Sequence, residues 1–267
     1  SAATILENEM SSPFYMQIFE KNKQPGKKLL ISGWGRCNVT TSSEDKKILS
    51  TKYVRGWDFI KKAMGKFSPK KCYDWFESHA LPLKIEPIER VFPVSDNGHD
   101  VLRVFESIFA KYRDKVSMHY SEWVSRVTKS DSGYIIETQK NTYTADSLII
   151  ATWGNAYSQT GSTGDGYSFA RSLGHTITDL WPSLSSFVTE EKWLHELSGI
   201  SFEEAQIDGL KGALIITHFG ISGPLAFMLS AELAWVEIGK GKVDRPSFSP
   251  IASMWVKDWD AFLRGSF

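Results

Sequence analysis

Glu20 is the first residue whose type and position suggest chemistry. It closes Phe14-Tyr15-Met16-Gln17-Ile18-Phe19, an aromatic and β-branched run that reads as a strand. A carboxylate only accepts hydrogen bonds, so an acidic residue at a strand end suits the paired hydroxyls of a ribose in a dinucleotide-binding fold. Its bland reading is a surface charge. The second candidate is Gly161-Ser162-Thr163-Gly164-Asp165-Gly166, a glycine-rich loop that opens a short helix. Free backbone N–H groups at a helix start can hold an anion or a ring carbonyl, although the same glycines can simply serve a turn with positive φ. Histidine as a residue type can exchange a proton near neutral pH, which makes His218, between a strand and a helix, a candidate proton donor. The alternative is a hydrogen-bonded histidine in the core or behind a site.

Other chemistries find little support. Cys37 and Cys72 form neither a disulfide framework nor a zinc pattern, and Cys72 reads as a packing residue. The six histidines are scattered, so no metal site is expected. Lysine plus arginine (31) equals aspartate plus glutamate (31), which gives no sign of a nucleic-acid or acidic-membrane partner. The apolar runs are too short for a membrane span, and the first residues do not read as a signal peptide. A cytoplasmic setting is expected.

The elements that would position these residues can be read in order. Three helices are expected between residues 57 and 112. The second starts at Ser68-Pro69, and the third is capped by Asp100, with Val101, Val104, Phe105, Ile108, Phe109 and Tyr112 at helical spacing. Strands follow at 116–120, 123–128, 134–138 and 143–152, with Asp131-Ser132-Gly133 as a tight turn. Leu148-Ile149-Ile150 suggests a strand buried on both faces. A helix over 167–173 closes on Gly174, and a boundary near residue 182 separates domains 1–182 and 183–267. The second contains short strands around a long apolar helix.

Four motifs then stand in one order: Gly26-Lys27-Lys28-Leu29-Leu30-Ile31-Ser32-Gly33 with Gly35-Arg36-Cys37-Asn38-Val39-Thr40; Arg90-Val91-Phe92-Pro93-Val94-Ser95; Thr160-Gly161-Ser162-Thr163-Gly164-Asp165-Gly166-Tyr167; and Thr217-His218-Phe219-Gly220-Ile221-Ser222-Gly223-Pro224. Together they resemble the BaiN-like FAD-dependent flavoproteins, over residues 14 to about 262. The resemblance implies an α/β fold, a partial Rossmann-like FAD-binding domain with a strand-rich inserted second domain. It implies FAD as cofactor, NAD(P)H as reductant and a small unsaturated or carbonyl-containing molecule as substrate. By the same resemblance Glu20 holds the adenosine ribose, and Lys28, Gly35, Arg36, Cys37 and Asn38 approach the flavin and pyrophosphate. Val124 offers backbone to the adenine, Ala151 and Thr152 end the strand whose tip lies under the cofactor, Asp165 and Gly166 belong to the loop that offers N–H groups to it, and Gly154 is a further cofactor-binding position.

The chain also departs from that family. None of the thirteen residues before Phe14 is glycine, so the GxGxxG-type phosphate loop is expected to be missing, with at most a helix remnant there. Trp34 and Trp153 stand where the family has glycine. The family's last segment, which returns to the FAD domain, is expected to be missing beyond Phe267. The chain thus reads as truncated at both ends. The alternatives to an oxidoreductase are a scaffold that binds no flavin, or half of a split flavoprotein that self-associates or needs a partner chain.

Overall fold

The computed structural model describes residues 2–8, 13–53, 56–180, 182–207 and 209–240. The chain divides into two units, residues 1–177 and 178–267. Residues 241 to 267 lie outside the described residues, as does Trp181 at the expected boundary.

The first unit is built around α5 (Gly98–Lys111). Its inward positions Val101, Val104 and Ile108 recur every three or four residues and are buried. A short helix, α1 (Ala2–Glu7), lays Ala3 and Leu6 into the same core, beside Phe76 of α4 (Pro69–Ser78). The Ser68 hydroxyl caps α4 by accepting from the Lys71 N–H at 3.2 Å, and Pro69 occupies the first turn. The cap of α5 differs from expectation. Asn97, not Asp100, caps it, accepting from the His99 N–H at 3.0 Å, while Asp100 lies inside the first turn and pairs with Arg103. Asn and Asp both serve as caps, so composition alone places the start ambiguously. Two further helices, α2 (Lys46–Lys52) and α3 (Trp57–Lys66), precede α4.

Against this core lies a parallel pair, β1 (Met16–Glu20) and β5 (Val116–Tyr120), in register from Met16↔Val116 to Glu20↔Tyr120. A small antiparallel sheet has the order β2 (Thr40–Thr41), β4 (Arg90–Pro93), β3 (Leu83–Glu86). Another is the meander β6 (Val124–Ser130), β7 (Gly133–Thr138), β8 (Thr142–Ala145). The turn before β7 needs glycine, because a Cβ on Gly133 would stand 2.3 Å from the Ala145 carbonyl oxygen.

The expected strand 143–152 ends at Ala145. Residues 148–152 take no part in a ladder, and Ile149 and Ile150 are 56% and 37% exposed. A doubly buried strand needs a neighbour on each side. Among the described residues β1 pairs only with β5, and nothing pairs with 148–152. After this segment comes α6 (Asp165–Ser172), ended by Gly174 in the left-handed region at φ 89°.

The second unit has an antiparallel sheet in the order β10 (Ser201–Ile207), β11 (Leu210–Thr217), β12 (Gly220–Ser222), β9 (Phe187–Val188). Leu225, Ala226 and Leu229 of α8 (Pro224–Lys240) and Leu194 of α7 (Lys192–Glu196) are buried in its core. The molecule is thus mixed α/β, with its parallel pair in the first unit and antiparallel pairing among the described residues of the second.

Candidate functional site

Glu20 ends β1 at the carboxyl edge of the parallel pair, where ligands of α/β sheets are commonly held. Its Oε1 accepts from the Asn22 backbone N–H at 2.7 Å and from Asn22 Nδ2 at 2.9 Å. Asn22 Nδ2 also donates to the Thr160 carbonyl at 3.0 Å, so the carboxylate is fixed to the loop before α6. Its Oε2 has no donor among the described residues. Beside it, Lys21 Nζ donates to Thr163 Oγ1 at 2.8 Å and Asp165 Oδ2 at 3.0 Å. Glu20, Asp165 and the start of α6 therefore converge, although about 140 residues separate them in sequence.

A Cβ on Gly166 would meet Thr152 Oγ1 at 2.1 Å, and one on Gly154 would meet the Tyr167 hydroxyl at 2.8 Å. These two glycines let the extended segment carrying Ala151 and Thr152 lie against α6. Lys28 reaches the same segment, donating to the Ala156 carbonyl at 2.8 Å. Val124 sits at the start of β6, half-buried and paired with Thr138.

The group 35–38 is organised differently. Gly35 is in the left-handed region at φ 83°. The Arg36 guanidinium donates to Glu86, and to Asp96 Oδ1 through Nε at 2.8 Å and Nη2 at 2.6 Å; it also lies 4.0 Å from the centre of the Phe92 ring. The hydrogen bonds from Arg36 hold the Glu86 carboxyl below its ordinary range. Those from Lys84 and then Arg36 do the same for Asp96. Cys37 is buried in the first core, and burial pushes its thiol up, so the neutral form is favoured. Asn38 Oδ1 accepts from the Val91 N–H at 3.2 Å, tying this turn to β4.

FAD can be tested against these groups. Its ribose end fits: Glu20 supplies a fixed carboxylate with one oxygen still open to a hydroxyl pair. For its diphosphate the described residues offer no free arginine fork at the expected position, because Arg36 is committed to Glu86 and Asp96. Among the described residues there is also no cluster of three or more metal-ligating side chains. No helix there is long and apolar enough to cross a membrane.

His218 is exposed in the turn between β11 and β12, edge-on to Phe219 at 4.9 Å. It belongs to the second unit, and none of the other candidates does. Sequence reading missed Lys21 and Asn22, which fasten Glu20 and Asp165, and Glu86 and Asp96, which hold Arg36. Apart from Asn22 and Glu20, two positions apart, the partners lie 50 to 144 positions away, and no local pattern announces such pairs.

Comparison with known proteins bears out the BaiN-like resemblance. The HI0933-like protein Rossmann domain family matches residues 4–245. The chain is 29% identical over 226 residues to the 3-dehydro-bile acid delta(4,6)-reductase of Clostridium scindens, covering 81% of this chain and 54% of that protein. It is 24% identical over 223 residues to the ribosomal RNA dihydrouridine synthase of Escherichia coli, covering 80% and 54%. The Haemophilus influenzae protein of the same name is 25% identical over 223 residues, again covering 80% and 54%. The chain thus spans about half the length of these curated relatives. With most of its length matched and an acidic residue ending a strand of its parallel pair, the chain belongs to the HI0933-like Rossmann-domain family.

Proposed function

We infer that this chain is the framework of a flavin-dependent reductase acting on a carbon–carbon double bond conjugated to a carbonyl. The observation that carries the reading is Glu20, fixed at the carboxyl end of β1 with one carboxylate oxygen open. The relatives' names narrow the reaction class. A delta(4,6)-reductase of a 3-dehydro compound and a synthase that forms dihydrouridine both saturate ring double bonds in conjugation with a carbonyl. FAD would supply hydride exchange with NAD(P)H, chemistry that belongs to the cofactor. This chain's own part is positional: Glu20 accepts from the ribose hydroxyls, Asn22 fixes that carboxylate, and the Lys21–Asp165 pair fixes α6 beside it.

The test is NADH or NADPH oxidation by the full chain with added FAD, against a 4-en-3-one steroid and a uridine-containing RNA. Oxidation that depends on one of these acceptors supports the reading and names the substrate class. A chain that retains FAD yet oxidises neither nicotinamide in the presence of either acceptor contradicts it.

A second reading, a scaffold active only with a partner chain, is favoured by one observation. The apolar segment 148–152 and one edge of β1 both lack a pairing strand among the described residues. Activity restored by adding a separate polypeptide, and absent without it, would favour this reading.

A further inference from the structure

Basic and acidic side chains balance over the whole chain but not along it. Residues 46–71 hold nine basic side chains and one acidic one, and over 44–74 the counts are nine and four. Lys61 pairs with Asp58 and Lys70 with Asp74. Lys46, Lys47, Lys52, Lys62, Lys66 and Lys71 are all exposed, with no carboxylate in ion-pair range among the described residues. In their midst lies α3, an amphipathic helix that buries none of its residues. Helical spacing sorts its apolar side chains into two rows. Trp57, Ile60 and Met64 are half-buried. Phe59, Ala63 and Phe67, four positions apart with the last just past the helix end, form a second row that is exposed. Phe59 is 83% accessible and Phe67 47%. Lys62 and Lys66 stand three positions beyond Phe59 and Ala63, so they flank that row. An outward apolar row edged by lysines suits a helix lying in a membrane interface, with rings among the acyl chains and ammonium groups at the headgroup phosphates. Other covers suit it less. A second copy would bring like charge to like, and residues 241–267, with four basic and three acidic side chains, offer no counter-charge. A nucleic acid would answer the lysines, yet arginine, whose fork grips phosphate best, occurs only once in 46–71.

We propose that α3, with the lysines around it, is a docking surface for a bilayer rich in anionic lipid. Phe59 and Phe67 enter the interface, Lys62 and Lys66 meet the phosphates beside them, and the lysines of α2 add attraction over a longer range. Attachment in the plane of the interface needs no membrane-spanning helix. The surface uses none of the residues of the Glu20 site, and it assigns the molecule a place rather than a reaction.

The experiment is co-sedimentation of the full chain with vesicles of phosphatidylcholine alone and of equal parts phosphatidylcholine and phosphatidylglycerol. At about 0.15 M salt the chain should bind the anionic vesicles about tenfold or more tightly than the neutral ones, and about 1 M salt should remove most of that difference. Lys62→Gln combined with Lys66→Gln should weaken anionic binding about tenfold or more, since each lysine near such a surface is worth about fivefold. Phe59→Ser should weaken it about fivefold or more, through the lost apolar contact. Phe59 is already exposed, so its replacement should not disturb folding, and circular dichroism checks this for both variants. Equal binding to the two vesicles, no binding to either, or a variant that stays within about twofold of wild type overturns the proposal. A labelled uridine decamer that binds the chain while anionic vesicles do not would give the surface to nucleic acid and overturn it as well. No flavin enters the assay, so this surface and the reductase reading stand or fall separately.

Discussion

At the scale of single residues, Trp34 shows backbone strain without packing. Trp34 is 98% exposed and sits at φ 60°, ψ 39°. A side chain in the left-handed region costs about 1–2 kcal/mol, whereas glycine loses about 0.5–1 kcal/mol more chain entropy on folding. With no packing to lose, Trp34→Gly should leave stability unchanged or raise it by up to about 1 kcal/mol, read from the urea midpoint. A clear loss would mean that the indole is held by contacts. Arg36 makes the opposite case, since its fork is filled by Glu86 and Asp96. Arg36→Met should lower the melting temperature, and Glu86→Gln should add little once Arg36 is gone, because the residues act as a unit. Both carboxyls are depressed, so their stabilisation is present above the ordinary carboxylate range and lost as pH falls through the depressed values. A melting series down to pH 3, steeper in wild type than in Arg36→Met, checks this.

Among the secondary-structure elements, α1 is fastened to α4 by a polar knot. Glu7 accepts from Trp75 Nε1 at 2.9 Å and faces His79 Nε2 at 2.5 Å. Burial of His79 favours the neutral ring, but the Trp75 carbonyl and Glu7 outweigh it, and the pKa is raised. A raised folded pKa gives stability that is fully present below the unfolded value of about 6.5 and lost as pH rises through the folded value. Hydrogen exchange over residues 2–8 should therefore lose protection as the pH climbs above neutrality, beyond the ordinary rise in exchange rate. Glu7→Gln should remove that extra loss.

The docking of segment 148–154 on α6 is equally specific. Gly166→Ala places a Cβ 2.1 Å from Thr152 Oγ1 and should destabilise the unit by about 1–3 kcal/mol in urea unfolding. At this scale the sequence was informative wherever the cause is local. The Ser68-Pro69 start, the 101–104–108 stripe and the Asp131-Ser132-Gly133 turn follow from capping, periodicity and turn sterics. Leu148-Ile149-Ile150 was misread because burial depends on which strands stand alongside, and a run of apolar residues carries no information about its neighbours.

For the molecule as a whole, the family could be read from four motifs in order, and the matched span agrees with it. The location of Glu20 at the end of the parallel pair was also legible, because strand and carboxylate adjoin in sequence. The convergence of Lys21 on Asp165, and of Lys28 on Trp153 and Tyr157, was not, since each contact spans more than 120 positions. Nor could the pairing of Arg36 with Glu86 and Asp96 be foreseen, and it removes the one arginine expected at the diphosphate. On the proposed reading, the Glu20 end recruits the dinucleotide. The most direct measurement is the absorbance spectrum of the full chain after incubation with excess FAD and desalting, beside Glu20→Gln. The expected result is a retained flavin band in wild type that falls about tenfold or more in the variant. A wild-type protein that remains colourless, or a variant that keeps as much flavin, would contradict it.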